Sequence, residues 1–390
     1  MRYTKLRAGF EVSRVGMGCY ALSGVYGPSD PDGFSSVLRK AYEMGVTFFD
    51  TADQYGDAEK VLGQAIRSVR DRVVISTKVG LTEGFGRDCS RRHVIAACER
   101  SLKNLGTDWI DIYQIHFDDP ATPVEETVTA LEELKTAGKI RAYGLGHLPR
   151  ERVEEYIQCG RPATLMCELS AAVRRPYLQY RELAISCGID LIGFSVTARG
   201  LLTGRIGPDH SFGGRDIRNI DALFYRERMT AALSVKDLLA HAGAQYGMTP
   251  AQVAVAWALR QPGVAAVLTG PRSPEHLMEN LGGCDCKMPD AAWADVECTL
   301  AEIDCALERS LRQTIAALLA GELDPDPERA FRDLVYLIEG AVDFSIVSEK
   351  DVMPAFARLM AAKARREAER MQIMRDVHRM LSEAVENAGY

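Results

Sequence analysis

Short apolar runs alternate with longer amphipathic stretches along most of the chain, and this alternation constrains the fold more than any other feature. The apolar runs cover residues 15–19, 46–50, 73–78, 110–116, 140–145, 163–168, 190–195 and 264–269. The stretches with apolar residues at helical spacing cover residues 33–44, 90–105, 123–137, 150–158, 174–187 and 250–261. This pattern predicts parallel strands joined by helical crossovers.

Eight strand–helix units most simply close into a (β/α)8 barrel of the TIM type, with the active site at the carboxyl ends of the strands. An open, doubly wound sheet is the competing α/β fold. Sheets of that type carry a G-x-G-x-x-G turn after an early strand when they bind dinucleotides. No such motif follows an early run here, so the barrel is the predicted fold.

Charge and hydropathy limit the partners of the chain. The formal net charge of −7 leaves no basic excess to neutralise a phosphate backbone, which argues against nucleic acid. No apolar run approaches the roughly 18 residues of a membrane-spanning helix, and no signal peptide is visible, so we expect no membrane contact and a cytoplasmic location. The 10 cysteines are scattered and predict buried, reduced thiols. No metal site is predicted, because the single C-x-C at Cys284 and Cys286 is a weak signature.

Two segments depart from a plain barrel. Residues 204–221 are rich in glycine and charge, which predicts a long loop over the strand ends. From about residue 306 the pattern is wholly helical, with breaks at 321–328 and 340–354. We therefore predict a barrel over residues 1–305 and a helical C-terminal extension over 306–390. We expect the extension to pack either on the barrel mouth or on a second subunit. In the second case, the C-terminal helices would form a homo-oligomer.

Four polar residues fall at or just after the ends of predicted strands. Asp50 ends the second run and Tyr55 follows it, while Lys78 and His116 end the third and fourth. A phenol is a weak proton donor at neutral pH, but a nearby ammonium lowers its pKa and a carboxylate holds that ammonium in place. A histidine on the other side orients the substrate oxygen. Such a set suits protonation of an alkoxide forming at a carbonyl, or the reverse deprotonation of an alcohol.

Four segments carry a family resemblance: FFDTADQYGDAE (48–59), ISTKVG (75–80), DIYQIHFDD (111–119) and AGKIRAYGLG (137–146). In this order and spacing they resemble the aldo-keto reductase superfamily, and the resemblance runs from residue 3 to about 304. The opening segment 2–24 resembles the N-terminal β-hairpin and first barrel strand of that family. The resemblance implies that Tyr55 is the general acid/base, Lys78 tunes it, Asp50 holds Lys78 and His116 orients the carbonyl. The helical extension is not typical of the family.

The resemblance also implies NADP(H) as cofactor. Segment 268–281 resembles the adenine end of the family's cofactor site, with Arg272 where the 2′-phosphate is contacted and Asn280 where adenine is contacted. His276 replaces the usual glutamine there. Phe194 stands where an aromatic ring stacks on nicotinamide. The remaining cofactor positions implied by the resemblance are Gly18, Cys19, Tyr20, Asp50, Ser195, Gly200, Leu201 and Gly270.

The nicotinamide pocket departs from the family pattern at two strand ends. Gly146 and His147 replace the usual Ser-Asn pair, and Glu168 replaces the usual glutamine. In a substituted grip, His147 donates to the carboxamide oxygen and Glu168 accepts from its NH2 group. The alternatives are an altered placement of the ring and a pocket that holds a second substrate group.

Three classes of function stay open. The leading one is an NADP(H)-dependent oxidoreductase that interconverts a small-molecule carbonyl compound and an alcohol. The second is a redox-neutral epimerase or dehydratase on the same tetrad, and the third is a non-catalytic nucleotide-sensing regulatory subunit. The complete tetrad of Asp50, Tyr55, Lys78 and His116 counts against the third.

The residues of the predicted loops after the strands do not identify the substrate. Arg87, Arg215 and Arg218 lie in these loops, where they either attract an anionic substrate or are solvated surface residues. Tyr20 and Tyr26 either pack on a sugar or flat ring of the substrate or fill the loop's own core.

Overall fold

A computed structural model of the chain describes residues 1–214, 216–343, 346–347, 349–362 and 365–387. It divides into two compact units. The barrel unit comprises Met1–Ile206 and Leu239–Pro289, and the helical unit comprises Gly207–Leu238 and Asp290–Tyr390.

Eight parallel strands of the barrel unit form a closed barrel. In chain order, the strands of this unit are β1 (Tyr3–Lys5), β2 (Glu11–Ser13), β3 (Val15–Gly18), β4 (Phe48–Asp50), β5 (Val74–Val79), β6 (Ile110–Phe117), β7 (Ile140–His147), β8 (Thr164–Glu168), β9 (Asp190–Phe194) and β10 (Val264–Thr269). The barrel closes in the order β10-β3-β4-β5-β6-β7-β8-β9, and β1 pairs with β2 in an antiparallel hairpin. The predicted (β/α)8 barrel with an N-terminal hairpin is therefore confirmed.

Helices follow the strands and close each crossover. Those of the barrel unit are α1 (Pro31–Glu43), α2 (Ala58–Ile66), α3 (Arg91–Leu105), α4 (Val124–Thr136), α5 (Arg150–Cys159), α6 (Arg175–Cys187), α8 (Pro250–Arg260) and α9 (Pro274–Gly282). Local sequence sets their ends. Thr249 and Gln252 form a reciprocal capping box at the start of α8. Gly63 lets α2 approach α3, because a Cβ there would lie 2.1 Å from the carbonyl oxygen of Leu105.

The N-terminal hairpin plugs the barrel at the end where the strands begin. Leu6, Phe10 and Val12 pack there on residues that point inward from the early positions of the strands, among them Phe48 and Val74. Burying an aliphatic or aromatic side chain of this size contributes about 1.5–3 kcal/mol.

The helical unit contains α10 (Asp290–Ala320), α11 (Pro327–Asp343), α12 (Glu349–Ala362) and α13 (Glu367–Asn387), while α7 (Arg226–Ala244) runs from this unit into the barrel unit. The described part of segment 204–221, which leaves out residue 215, contains no α-helix or strand, as predicted for a loop, but includes the short 3-10 helix Ile217–Asn219. The predicted domain boundary at residues 305/306 lies inside α10. Inward-facing residues of α10, α11, α12 and α13 share one apolar core.

The predicted break over residues 340–354 is wrong in its extent. Helix α11 continues to Asp343, α12 begins at Glu349, and Pro354 lies inside α12. Proline costs a helix about 3 kcal/mol because it lacks an N–H and its ring meets a preceding carbonyl. Val352, Ala355 and Leu359 of the same helix are buried, at 2%, 2% and 0% exposure. Their burial offsets the cost of one lost hydrogen bond near the helix start.

Among the helices that the structure describes, none combines the length and apolar character required to cross a membrane.

Candidate active site

Three neighbouring strands bring the predicted tetrad together at the carboxyl end of the barrel. Asp50 is the last residue of β4, and Lys78 and His116 are the penultimate residues of β5 and β6. Tyr55 lies in the loop after β4. Because β4, β5 and β6 are adjacent and parallel, their last side chains converge at one rim.

Lys78 is fixed by two oxygen atoms of β4 and the residue after it. Its Nζ donates to Oδ1 of Asp50 in a very short ion pair and to the backbone oxygen of Thr51 at 2.8 Å. Lys78 and Asp50 are only 3% and 4% exposed. Burial raises the pKa of Asp50, and the Lys78 ammonium opposes that rise. The pair is therefore a buried, specifically oriented charge pair rather than a solvated surface contact.

The Tyr55 hydroxyl points toward His116 and lies beside Lys78. Its oxygen is 3.5 Å from Nε2 of His116, a long hydrogen-bond distance, and the Lys78 Nζ is 5.1 Å from the centroid of the Tyr55 ring. The Tyr20 ring lies 5.0 Å from the Tyr55 ring, centroid to centroid. The hydroxyl and the imidazole nitrogen thus face one point where an oxygen atom of a ligand can accept from both.

The pKa of Tyr55 departs from the expectation that Lys78 lowers it. Burial raises the pKa of Tyr55 well above its ordinary value, and the negative charge of Asp50 adds to the rise. Asp50 lies close enough to the hydroxyl for its negative charge to disfavour the phenolate, in addition to the larger effect of burial. Tyr55 is consequently a neutral phenol at neutral pH, which is the form that donates a proton.

Two histidines at the same rim are held neutral. Burial, followed by the positive charge of Lys78, lowers the pKa of His116 well below its ordinary value. Desolvation by the surrounding protein, followed by the positive charges of Lys78 and Arg199, lowers the pKa of His147 to about 4, although the residue as a whole is exposed. A neutral imidazole has one donor and one acceptor nitrogen. Nδ1 of His116 is buried and has no hydrogen-bond partner among the described residues.

Phe117 joins the rim as a residue that the sequence did not single out. Its ring stacks on His147, with centroids 4.7 Å apart and planes 13° apart, and lies 4.6 Å from the His116 ring. Phe194 meets His147 edge-on at 5.1 Å. The only signal was its position directly after His116 on a predicted strand.

Glu168 is engaged by Arg199, a partner that the sequence did not predict. The Arg199 guanidinium donates to both carboxylate oxygens of Glu168, at 2.7 and 3.1 Å. Arg199 belongs to a strained segment with left-handed backbone, as Ser195, Ala198 and Arg199 have φ of 57°, 49° and 51° and Gly200 has φ of 101°. Strained non-glycine residues of this kind cluster at functional sites.

Basic side chains surround the start of α9. Ser273 caps this helix by accepting from the backbone N–H of His276, and Arg272 is exposed just before it. Arg205 pairs with Glu279 at 2.5 Å. Burial lowers the pKa of His276, and the charges of Arg205 and Arg272 contribute, which places both arginines near that ring. Arg205 is a further residue that the sequence did not single out.

Other predicted cofactor positions differ in their access to the surface. A Cβ added to Gly18 or Gly270 would meet only one carbonyl oxygen, at 3.8 or 3.9 Å, so the backbone there borders open space. Asn280 is buried at 8% exposure, Cys19 and Leu201 are fully buried, and Tyr20 is 40% exposed.

The predicted substrate arginines are not equivalent. Arg218 forms a close ion pair with Asp216 at 2.6 Å, and both side chains are largely buried. Its charge is therefore balanced locally. Arg87 lies with its guanidinium carbon 4.0 Å from the Phe117 ring centroid, at the tetrad rim. Arg215 lies outside the described residues.

The sequence of this chain matches the Aldo/keto reductase family model over residues 14–300. It is 34% identical over 287 residues to the aldo-keto reductase YhdN of Bacillus subtilis, covering 71% of this chain and 87% of that protein. It is 31% identical over 304 residues to the NADH-specific methylglyoxal reductase of Escherichia coli, covering 72% and 92%. The family match ends within α10, so α11, α12 and α13 lie beyond it.

Comparison with solved structures also finds proteins that resemble this chain in fold. The structure of the glycerol dehydrogenase AKR11B4 from Gluconobacter oxydans superposes with a TM-score of 0.70 at 25% identity, covering 84% of this chain and 98% of that one. The holo form of the aldo-keto reductase AKR11C1 from Bacillus halodurans gives 0.63 at 26% identity, covering 77% and 96%.

Proposed function

Since the chain belongs to the aldo-keto reductase family, we propose that it is an NADP(H)-dependent oxidoreductase that interconverts a carbonyl compound and an alcohol. The observation that carries this proposal is the convergence of Tyr55 and His116 on one point beside the Asp50–Lys78 pair. NADPH, when bound, would supply the hydride that the carbonyl carbon accepts.

The residues of this chain supply the proton and its placement. The Tyr55 hydroxyl donates its proton to the carbonyl oxygen as negative charge develops there, and the resulting phenolate recovers a proton from solvent. His116 hydrogen-bonds the same oxygen through Nε2, which fixes its direction. Lys78 stays bound to Asp50 and the Thr51 oxygen and stabilises the transient phenolate from the side of the ring. The raised pKa keeps Tyr55 protonated at neutral pH, so the phenol carries the proton that carbonyl reduction requires.

The residues around α9 fit the phosphate-bearing end of the cofactor. Arg272 is exposed beside a capped helix start, where backbone N–H groups and the helix dipole favour an anion. Arg205 and His276 add donors next to it. Gly18 and Gly270 leave room for the extended cofactor at the ends of β3 and β10. A guanidinium fork suits a phosphate dianion, which favours NADP(H) over NAD(H).

The nicotinamide end uses a substituted grip in this proposal. His147, neutral at physiological pH, donates to the carboxamide oxygen, and Glu168 accepts from the amide while Arg199 holds its carboxylate. Phe194 packs against the ring. Arg199 thereby takes part in placing the cofactor, since the direction of the Glu168 oxygens depends on it.

Replacing Arg272 with alanine should weaken NADPH binding at least about tenfold and NADH binding less than about twofold. The reason is that a hydrogen-bonded charge pair contributes about 1.5–3 kcal/mol, and each 1.4 kcal/mol is tenfold in affinity. Quenching of protein fluorescence by each nucleotide measures both dissociation constants. Arg161→Ala, an exposed arginine just before β8 at the opposite end of the barrel, is the matched control. An equal loss for the two nucleotides would refute the phosphate assignment.

Two assays on the purified protein test the proposed reaction. NADPH that binds reversibly and loses its reduced-nicotinamide absorbance on addition of an aldehyde supports it. Tightly held nucleotide, released only by denaturation and not consumed during turnover, would support an epimerase or dehydratase instead. Binding without any turnover would support a nucleotide sensor.

Three expectations from the sequence stay predictions. These are the division into a barrel over residues 1–305 and a helical extension over 306–390, the homo-oligomer formed through the C-terminal helices, and the cytoplasmic location.

A further inference from the structure

The connection between β9 and α7 is built into the helical unit. The chain leaves the barrel unit after Ile206 and returns to it at Leu239. Ala222 belongs to the apolar core that α10, α11, α12 and α13 share, and Ile220 and Tyr225 pack against that core. The two segments that depart from a plain barrel, the long loop after β9 and the C-terminal extension, are thus parts of one compact unit.

Polar contacts with α11 hold the end of this connection. Asp333 accepts from the Arg226 guanidinium at 2.6 Å, and it is only 7% exposed. Arg332 donates to the backbone oxygen of Phe224 at 3.2 Å. Its guanidinium carbon also lies 4.1 Å from the centroid of the Tyr225 ring. Three consecutive residues of the connection therefore contact two consecutive residues of α11.

The first turn of α7 continues these contacts. Glu227 accepts from the hydroxyl of Thr314 on α10 at 2.6 Å and from the hydroxyl of Tyr336 on α11 at 2.8 Å. Arg228 pairs with Asp343, the last residue of α11, at 2.6 Å. We use the word clasp for these contacts of residues 224–228 with Thr314, Arg332, Asp333, Tyr336 and Asp343.

Backbone strain lies at both ends of the connection. Arg226, in the clasp, has φ of 48°, while Ser195, Ala198 and Arg199 just after β9 have φ of 57°, 49° and 51°. Left-handed backbone at non-glycine residues persists only where the surrounding contacts hold it. The clasp supplies such contacts at the α7 end. Residues 194–205, at the β9 end, include positions that we assign to the cofactor.

Two ion pairs of the barrel unit hold the β9 end. Arg199 binds Glu168 through two hydrogen bonds, and Arg205 pairs with Glu279 of α9. The connection therefore runs from cofactor positions that are tied to the barrel unit to a clasp that is formed by the extension.

We propose that the C-terminal extension anchors the connection between β9 and α7 through the clasp, and that this anchoring slows the exchange of the nicotinamide nucleotide. The proposal rests on the part of the proposed function that assigns NADP(H) as cofactor. A connection held at both ends keeps residues 194–205 in place around the nucleotide, whereas a connection released at the clasp lets them move and the nucleotide leave. None of the clasp residues is among those assigned to the cofactor or the tetrad.

Two variants loosen the clasp, and amide exchange reports the result. Asp333→Asn removes the charge that holds Arg226, and Tyr336→Phe removes only the hydroxyl that donates to Glu227. The N–H groups of Asn219 and Phe224 are protected by turns within the connection. Hydrogen–deuterium exchange over residues 217–225 should become at least about tenfold faster in Asp333→Asn, because local opening then costs less free energy, while the barrel strands keep their protection.

Release of nucleotide tests the functional half of the proposal. NADPH is chased from the protein by excess NADP⁺ in a stopped-flow fluorimeter. The dissociation rate should rise at least about fivefold in Asp333→Asn, at the lower end of the usual coupling between separate sites. The value of kcat should not fall, because the tetrad is unchanged. Should Asp333→Asn fail to fold, Tyr336→Phe keeps the buried ring and carries the same test.

Arg358→Met is the matched control. It breaks the Arg358–Asp376 ion pair, which joins α12 to α13 at 3.0 Å and does not involve the clasp. Its amide exchange over residues 217–225 and its NADPH dissociation rate should both equal those of the wild type. The double variant Arg226→Met/Asp333→Asn should release NADPH no faster than the faster single variant, because both changes break the same pair.

The outcomes are distinguishable. Unchanged amide exchange in both Asp333→Asn and Tyr336→Phe would overturn the clasp. Faster amide exchange with an unchanged dissociation rate would overturn its role in nucleotide exchange and leave the proposed reaction standing. A wild-type protein that binds NADPH but reduces no aldehyde would overturn the proposed reaction and leave the clasp standing, since its test is the dissociation rate. A wild-type protein that binds no nucleotide would overturn both.

Discussion

Replacement of Tyr55 by phenylalanine is expected to lower kcat at least about a hundredfold, because loss of a positioned proton donor typically costs 10²- to 10⁴-fold. The hydroxyl is the group that faces Nε2 of His116, at 3.5 Å, and it is the proton donor in the proposed reaction. Cofactor affinity should change less than about threefold, since the ring and its contacts remain. Steady-state rates with an aldehyde and nucleotide titrations measure the two effects.

Tyr42→Phe is the matched control for this change, because Tyr42 lies on α1 away from the strand ends. Its kcat should stay within about threefold of the wild-type value. Near wild-type turnover in Tyr55→Phe would refute the assignment of Tyr55 as the general acid. A parallel loss of nucleotide binding would assign the tyrosine to cofactor placement instead.

Replacement of Asp50 by asparagine is expected to lower the free energy of unfolding by about 3–5 kcal/mol, the usual cost of removing one partner of a buried ion pair. The change removes the negative charge beside the Lys78 ammonium, which is 3% exposed, while the Thr51 oxygen still accepts from it. Urea unfolding followed by circular dichroism measures the effect. Turnover should also fall, since Lys78 loses the contact that positions it.

The double variant Asp50→Asn/Lys78→Met separates stability from function. Removing both charges should restore most of the lost stability, because a neutral pair carries no unbalanced buried charge. Turnover should stay low, since no ammonium lies beside Tyr55. A double variant as unstable as Asp50→Asn, or one with wild-type turnover, would contradict the role given to the pair.

Most of the barrel could be predicted from the sequence because the apolar runs alternate with stretches in which apolar residues recur at helical spacing. The third run, predicted over 73–78, is observed as Val74–Val79, one residue later. Strands of a parallel sheet are buried on both faces, so short continuous apolar runs of this kind are typical of them. The break near Pro354 was mispredicted because local propensity carries no information on what the helix buries, and here Val352 and Leu359 decide the outcome.

The gathering of the tetrad at one rim could be predicted for the same reason, since Asp50, Lys78 and His116 lie at or next to the ends of adjacent strands and Tyr55 follows in the loop after β4. The charge partners could not. Arg199 reaches Glu168 only because the chain after β9 takes up left-handed backbone at non-glycine residues, which no local pattern indicates. The raised pKa of Tyr55 likewise depends on burial and on the nearby negative charge of Asp50. Both are properties of three-dimensional placement.

The most direct test of the proposed reaction follows the hydride. Purified protein is incubated with an aldehyde and NADPH that carries deuterium at C4 of the nicotinamide, in separate 4R- and 4S-labelled preparations, and the products are measured by mass spectrometry. We predict that one of the two preparations transfers one deuterium to the carbinol carbon of the alcohol for each NADPH consumed. A product without deuterium from either preparation, formed with no loss of NADPH, would contradict the assignment of this barrel as a carbonyl reductase.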